Sequence, residues 1–158
     1  MSVAVIIAAR DAEATIGRAV RGALAQPEAS QVIVVDDGSL DRTSAAADAA
    51  ADGSDRLVIE RLETSGGPSR ARNLALSLAR APYVCVLDAD DFMLPGRLAC
   101  LLGRIDGRDM IADDLLRVDE GAEDGIGAPM LGLEDEREVT LAQFLDGNIS
   151  RPELERAE

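Results

Sequence analysis

Four short apolar runs recur along the first hundred residues, and a stretch with helical character follows each of them. The runs are Val3–Ala8, Gln31–Val35, Leu57–Leu62 and Tyr83–Leu87. They are rich in β-branched residues and mostly continuously apolar, which is typical of parallel strands buried on both faces. Strands alternating with helices at this spacing predict right-handed crossovers. We therefore expect an α/β fold with a doubly wound, mostly parallel sheet and helices on both faces.

The intervening stretches carry the periodicity of amphipathic helices. In the first of them, Ile16, Val20 and Leu24 lie on one stripe. The last should begin at Pro95, because proline is tolerated in the first turn of a helix. The predicted helices are Ala14–Leu24, Thr43–Ala51, Ser69–Ala79 and Pro95–Leu102.

The regular alternation ends near residue 106. A weaker strand is predicted over Met110–Val118, an acidic, glycine-rich loop over 119–138, and a short helix from Thr140 to Leu145. The charged tail 151–158 follows without a closing strand, so we expect a truncated chain. The sequence thus divides into a main region, 1–106, and the beginning of a second region, 107–158.

Two residue types are missing, and their absence excludes several kinds of chemistry. The chain has no histidine and no lysine, so that all 16 cations are arginines. His-based triads, phosphate loops of the Walker type and Schiff-base mechanisms are therefore excluded. The net charge of −14 argues against nucleic acid as a partner. A small diphosphate remains compatible if a divalent cation neutralises its charge.

Acids, glycines and arginines follow the ends of the predicted strands. In an open parallel sheet, ligands bind beyond the carboxyl ends of the strands. Carboxylates gathered at that edge repel one another, and a bound cation is the simplest way to neutralise their charge. The segments that follow the four strands are Ala9–Asp11, Asp36–Ser39, Gly66–Arg72 and Asp88–Asp91.

Asp88-Ala89-Asp90 is the sharpest of these signals, because it directly follows an apolar strand. One carboxylate could bind Mg²⁺ or Mn²⁺ while the other reaches a ribose or a metal-bound water. The alternative is a solvated acidic turn that precedes the next helix.

Similarly, a carboxylate of Asp36 or Asp37 could accept a hydrogen bond from a uracil imide N–H or a ribose hydroxyl. Its alternative is an ordinary Asp-Gly turn.

The combination of these segments resembles glycosyltransferase family 2, an inverting family with the Rossmann-like GT-A fold. The segments that carry the resemblance are VVDDGSLDRT at 34–43, GGPSRARNL at 66–74 and VLDADDFMLPGRL at 86–98, with ATIGRAVRGALAQ at 14–26 similar to the first helix of the family. The resemblance spans about residues 3 to 102. It implies a nucleotide-sugar- and metal-binding domain over 1–106 and the start of an acceptor-side region over 107–158.

The resemblance also implies roles for individual residues. Asp37 corresponds to the acid that contacts uracil, with Asp36 as its ribose or structural neighbour. Asp90 corresponds to the metal ligand for Mg²⁺ or Mn²⁺, and Asp88 supports it. Arg72 corresponds to an arginine beside the diphosphate. Three further positions are expected to line the donor site, namely Ala9, Gly67 and Ala89.

Two departures from the family pattern bear on function. Ala8-Ala9-Arg10-Asp11 replaces a segment that usually carries an aromatic residue against the base, and the Arg10 guanidinium could stack there instead. The general base lies well downstream in the family, so we expect it beyond Glu158. Glu134-Asp135 resembles its acidic motif only superficially.

The resemblance implies transfer of a sugar from a UDP-type donor to a saccharide or lipid-linked acceptor, with inversion. It is compatible with a cytoplasmic protein at the inner face of the membrane, with peripheral membrane association and with a homo-oligomer. The alternative is a truncated domain that binds a nucleotide-sugar, or only associates, without catalysis. A phosphoacceptor receiver domain is excluded, because such domains require a lysine after a late strand.

Overall fold

Strands and helices alternate from Val3 to Leu102 in the computed structural model, which describes residues 1–113, 115–118 and 126–129. The four strands of this region are β1 (Val3–Ala9), β2 (Ala29–Asp36), β3 (Leu57–Arg61) and β4 (Tyr83–Asp88). The four helices are α1 (Ile16–Leu24), α2 (Thr43–Asp48), α3 (Pro68–Leu78) and α4 (Arg97–Leu102).

The four strands form one parallel sheet in the order β3-β2-β1-β4. The chain adds β2 and β3 on one side of β1 and then returns to place β4 on the other side. This reversal creates a topological switch point at β1, where ligands bind in open α/β sheets. Ala9 pairs with Asp36 and Ala8 pairs with Asp88, so the ends of β2 and β4 flank the end of β1.

Helices cover both faces of the sheet, which confirms the predicted doubly wound architecture. On one face, the apolar stripe of α1, including Ile16 and Val20, packs with Val5 and Ile7 of β1 in a fully buried cluster. On the other face, Ala71 and Ala75 of α3 pack with the alternate residues of the central strands. Small alanine side chains let α3 lie close to the sheet.

The two outer strands are less buried than the sequence predicts. β1 and β2 are buried on both faces, whereas residues of β3 and β4 are largely half-buried or exposed. Val84 and Val86 of β4 are 41% and 50% exposed. They lie on the face where α3 packs over β1 and β2. The continuous apolar pattern of β4 therefore predicts a strand correctly but not its position at an edge.

The end of the main region also differs from the sequence prediction. α4 begins at Arg97, and Pro95 and Gly96 form a turn before it. Gly96 has φ of +80°, a left-handed conformation that ends the preceding turn without strain. The predicted helix start at Pro95 is therefore wrong by two residues, because Pro95 lies in the turn that precedes α4 and not in the first turn of the helix.

A small antiparallel pair follows the main region. β5 (Leu116–Val118) pairs with β6 (Ile126–Pro129). The strand predicted over 110–118 is thus shorter than expected, and the loop predicted over 119–138 contains a strand. The predicted helix 140–145 and the tail 151–158 lie outside the described residues.

By its contacts the chain divides into two compact units, Met1–Ile111 and Ala112–Glu158. In the part of the chain that the structure describes, no helix has the length and apolarity to cross a membrane.

Candidate functional site

A polar cleft of about 480 Å³ opens at the switch point, beside the carboxyl ends of β1 and β4. Its volume lies within the range of about 300–1,000 Å³ that is usual for small-molecule sites. It brings together Arg10, Arg72 and the Asp88-Ala89-Asp90 triplet, all of which the sequence singles out. Its full lining is Ala8, Arg10, Asp11, Ala12, Thr15, Arg72, Asp88, Ala89 and Asp90.

Arg72 links helix α3 to the end of β4. Its Nη2 donates to Asp88 Oδ1 at 2.8 Å, and both side chains are partly exposed. The Arg72 Nε atom is buried and has no hydrogen-bond partner among the described residues. A buried guanidinium N–H without an acceptor is costly unless a ligand supplies one. Arg72 thus lines the cleft beside Asp88, with part of its guanidinium exposed.

The turn after β4 carries three carboxylates, with the charges of Arg72 beside Asp88 and of Arg97 and Arg18 acting on Asp91. Asp88, Asp90 and Asp91 are all exposed, and Asp91 N donates to the Asp88 carbonyl at 3.1 Å, which closes the turn. Partial burial raises the pKa of Asp91, and the carboxylates of Asp90 and Asp88 raise it further. This segment thus concentrates negative charge and leaves its oxygen atoms available.

Asp36, at the end of β2, is fully buried and hydrogen-bonded. Its Oδ1 accepts from Ser39 N at 2.8 Å, and its Oδ2 accepts a short hydrogen bond from the Ser44 hydroxyl. Arg61 Nε lies 3.9 Å from Oδ2. Burial alone would raise the pKa of Asp36, but the bonds from Ser39 and Ser44 and the charge of Arg61 outweigh it and lower the pKa. Asp36 therefore organises the turn and does not face the cleft.

Asp37 is also buried, and three donors from the loop before α3 hold its carboxylate. Gly66 N donates to Oδ1 at 2.7 Å, while Gly67 N and the Ser65 hydroxyl donate to Oδ2 at 2.9 and 2.7 Å. The bond from Gly66 N, followed by that from Ser65, lowers the pKa of Asp37. Gly67, expected to line the donor site, thus donates its N–H to a carboxylate of the protein.

A glycine allows the loops after β2 and β3 to meet. Gly38 has φ of +69°, and a Cβ atom added there would lie 2.8 Å from the Ser65 backbone nitrogen. Leu62 N also donates to the Asp36 carbonyl at 2.8 Å. Any other residue at position 38 would be strained and would push Ser65 away from Asp37. The Asp-Gly turn therefore has a specific structural purpose here.

The loop after β1 is tied to the loop after β2 through three consecutive backbone N–H groups. Those of Asp11, Ala12 and Glu13 donate to the side chains of Ser39, Thr43 and Asp41 at 3.0, 2.8 and 3.0 Å. In return, Asp11 Oδ1 accepts from Leu40 N at 2.8 Å. Asp11 adopts φ of +48°, a conformation that aspartate tolerates better than most residues. This network fixes the segment that carries Arg10.

The structure separates the sequence candidates into two groups. Arg10, Arg72, Asp88, Ala89 and Asp90 line the cleft, whereas Asp36, Asp37 and Gly67 hold the adjoining loops. Ala9 does not line the cleft, because its side chain is buried in the core and its carbonyl accepts a hydrogen bond from Asp37 N. Ala8 lines the cleft instead. Glu134 and Asp135 lie outside the described residues.

Two residues that organise these loops, Ser65 and Asp11, are not among the candidates that the sequence indicates. Ser65 directly precedes the Gly66-Gly67 pair and connects Arg10 with Asp37, since Arg10 Nη1 donates to Ser65 Oγ at 2.8 Å. The only sequence signal for Ser65 was its place beside these glycines. The signal for Asp11 was its place directly after Arg10 at the end of the first strand.

Comparison with known proteins identifies the family. The model of the family described as Glycosyl transferase family 2 matches residues 4–145. The chain belongs to glycosyl transferase family 2. The succinoglycan biosynthesis protein ExoU of Rhizobium meliloti (strain 1021) is 45% identical over 157 residues, which cover 99% of this chain and 46% of ExoU. The chain thus spans about half the length of this curated family 2 relative.

Solved structures show the same fold within larger chains. The structure of S. aureus TarS 1-349 in complex with UDP-GlcNAc matches with a TM-score of 0.61 and 30% identity, over 67% of this chain and 31% of that one. The mannosyltransferase PcManGT from Pyrobaculum calidifontis, in complex with GDP-Man and Mn²⁺, matches with a TM-score of 0.60 and 25% identity, over 65% and 32%. The predicted GT-A type of α/β fold is therefore confirmed.

Proposed function

We propose that this family 2 chain is the donor-binding part of an inverting glycosyltransferase that uses a UDP-sugar and a divalent cation. The observation that carries the proposal is the Arg72–Asp88 ion pair in the lining of the cleft, which Asp90 also lines. A guanidinium next to exposed carboxylates provides both signs of charge, as a metal–diphosphate complex requires. The neighbour complexes with UDP-GlcNAc and with GDP-Man and Mn²⁺ support this reading.

The acidic turn fits a hard divalent cation. Its donors are carboxylate oxygens, the type that Mg²⁺ and Mn²⁺ prefer. Within the described ranges, no group of three or more His, Cys, Asp or Glu residues is arranged to hold a metal ion. An ion with few protein ligands, completed by phosphate oxygens and water, suits such a site. Asp90 would hold it with support from Asp88.

The chain's own residues would then bind and orient the donor. Arg72, whose side chain is 37% exposed and whose Nη2 donates to Asp88, would contact the diphosphate through its exposed guanidinium N–H groups and compensate the negative charge that develops on it as the bond between sugar and phosphate breaks. Asp37, whose carboxylate is held by Ser65, Gly66 and Gly67, would contact the base at the edge of the donor site. When bound, the divalent cation supplies further charge neutralisation of the leaving group. The acceptor is proposed to be a saccharide or lipid-linked hydroxyl.

Titration calorimetry with UDP, with and without Mn²⁺, tests the proposal. We expect UDP to bind the wild-type chain in a Mn²⁺-dependent manner. Asp90→Asn should weaken that binding by about tenfold to a hundredfold. Asp48→Asn is a matched control, because it removes the same charge from an exposed site at the end of α2. UDP binding that is equal for Asp90→Asn and wild type, and independent of Mn²⁺, would refute the metal role.

A further inference from the structure

The segment that follows the acidic turn, residues 92–98, lies against helix α1. Arg18 and Gly22 are four residues apart in this helix, and Gln26 continues the same spacing just past its end. Residues at this spacing share one face of a helix. The Arg18 guanidinium lies 4.4 Å from the centre of the Phe92 ring, and Gly22 and Gln26 contact the residues that follow Phe92. One face of α1 therefore meets the chain beyond the acidic turn.

Gln26 supplies the polar part of this contact and is fully buried. Its Nε2 donates to the Leu94 carbonyl at 2.9 Å and to the Gly22 carbonyl at 3.2 Å. Its Oε1 accepts from Leu98 N at 3.4 Å. A buried amide group is costly without partners, so these bonds favour a single placement of the segment. Gln26 thus joins the end of α1 to both sides of the turn that precedes α4.

Gly22 lets the backbone of the segment come close to α1. A Cβ atom added at this position would lie 3.0 Å from Met93 N and 3.2 Å from the Met93 carbonyl oxygen. Met93 is 3% exposed and belongs to the core, so its backbone has little room to retreat. Any side chain at position 22 would therefore press on the segment and shift it.

The acidic turn is held at both of its ends. On one side, Asp88 is the last residue of β4 and pairs with Ala8 of β1. On the other side, the contacts with α1 hold residues 92–98. The same helix begins beside the cleft, because Thr15, which precedes its first residue, is part of the cleft lining. One helix thus connects the loop after β1 with the acidic turn on the other side of the cleft.

We propose that Gly22 and Gln26 are positioning residues, which place the carboxylates of Asp88 and Asp90 in the cleft by holding residues 92–98 on α1. The inference rests on the proposed function, in which these carboxylates bind a divalent cation. Among the described residues, neither Gly22 nor Gln26 is part of the cleft lining, so each acts through the acidic turn. Binding groups must be held within about 0.5 Å of their productive positions, so a small shift of the segment lowers metal affinity while the fold persists.

Calorimetric titrations with UDP and Mn²⁺ test the inference on two glycines of α1. Gly22→Ala presses on the buried Met93 backbone. Gly17→Ala is the matched control, because its nearest contact is the flexible end of Arg21, at 3.2 Å. We expect Gly22→Ala to weaken binding by about threefold to tenfold and Gly17→Ala to leave it unchanged. Both variants add the same helix-favouring methyl group, so a general effect on α1 would appear in both.

Gln26→Met tests the polar contact, because it keeps the length of the side chain and removes its amide. We expect it to weaken Mn²⁺-dependent UDP binding by about tenfold. A double-mutant cycle with Asp90→Asn then shows whether the effects pass through the metal ligand. In the Asp90→Asn background, Gly22→Ala and Gln26→Met should each change UDP binding by less than about twofold. A merely structural loss would have the same size in both backgrounds.

Wild-type affinity in both Gly22→Ala and Gln26→Met would overturn the inference and leave the proposed function intact. Losses of equal size with Asp90 and with asparagine in its place would overturn it as well. Failure of UDP to bind wild type in the presence of Mn²⁺ would instead refute the proposed function, and the inference with it. Should Gln26→Met not fold, the comparison of Gly22→Ala with Gly17→Ala still decides.

Discussion

The acidic segments that follow β2 and β4 have similar sequences but very different surroundings. Asp36 and Asp37 are buried, and five N–H or hydroxyl donors from the protein itself hold their four oxygens. The carboxylates after β4 are exposed, and an ion pair between Asp88 and Arg72 is the main compensation described there. The protein itself thus supplies most of the hydrogen bonds of the acids after β2, whereas the oxygens of the acids after β4 remain largely open to solvent.

This contrast separates stability from function. A carboxylate whose hydrogen bonds are all made within the protein stabilises the native state, and its removal leaves buried donors without partners. A carboxylate whose pKa is raised in the folded protein, as that of Asp91 is, costs stability at neutral pH, and such groups are common where ligands bind. We therefore expect substitution of Asp36 to change mainly the free energy of unfolding, and substitutions after β4 to change mainly ligand binding.

The largest expected effect is on the free energy of unfolding. Asp36→Ala should lower it by about 3 kcal/mol, because Ser39 N and the Ser44 hydroxyl lose their buried acceptor. Asp88→Ala should lower it by less than about 1 kcal/mol, since its ion pair is exposed. Urea unfolding measured on both variants checks this. Equal losses would show that the two segments are structurally equivalent.

The next effect concerns the residue that faces the exposed acids. Arg72→Ala should weaken UDP binding by about tenfold, or about 1.4 kcal/mol, because the site loses the guanidinium beside the diphosphate. Arg72→Lys keeps the charge but not the fork of donors, and should recover only part of the affinity. Calorimetry with Mn²⁺ present measures both. Full recovery by lysine would mean that charge alone matters at this position.

Sequence reasoning located the strand ends because their chemistry is local. An apolar β-branched run followed by acids is visible in the sequence, and parallel strands bring such ends to one edge. The strand order is not local, so the exposure of Val84 and Val86 at the edge was not predicted. The sequence predicts Ala9 at the donor site, whereas Ala8 lines the cleft. Adjacent residues of a strand point to opposite faces, and the sequence does not show which face borders the cleft.

The contacts between loops could not be predicted from the sequence, for a different reason. Ser65 reaches Asp37 only because Gly38 adopts a positive φ and leaves room for the Ser65 backbone. Asp11 reaches Leu40 N only because it adopts a left-handed conformation itself. Backbone conformations of this kind depend on several loops at once, whereas a motif describes one segment at a time.

A smaller effect should appear in the pH dependence of stability. The pKa of Asp37 is lowered in the folded protein, first by the bond from Gly66 N and then by that from Ser65. The stabilisation is therefore fully present above the ordinary value of 3.8 and is lost as the pH falls through the lower, folded pKa. Asp37→Asn should flatten the acid side of the stability curve, measured by urea unfolding between about pH 2 and 5. Parallel curves for the two proteins would contradict this assignment.

The smallest effect, of opposite sign, is expected at Asp91. Partial burial and the carboxylates of Asp90 and Asp88 raise its pKa in the folded protein. The folded state then binds the proton more tightly than the unfolded state, so the ionised form costs stability at neutral pH and the cost disappears below the ordinary value of 3.8. Asp91→Asn should raise the free energy of unfolding at pH 7 by a few tenths of a kcal/mol, because solvent screens an exposed group.

Thermal denaturation in metal-free buffer can detect this gain as an increase of about 1 °C in Tm. The increase should vanish near pH 3, where wild type is protonated at this position. Asp48→Asn, at the exposed end of α2, is the matched control for the loss of one negative charge. An equal gain in Asp48→Asn would attribute the effect to the net charge of −14 and not to the acidic turn. A loss of stability in Asp91→Asn at pH 7 would mean that this carboxylate, like those after β2, is stabilised by the fold.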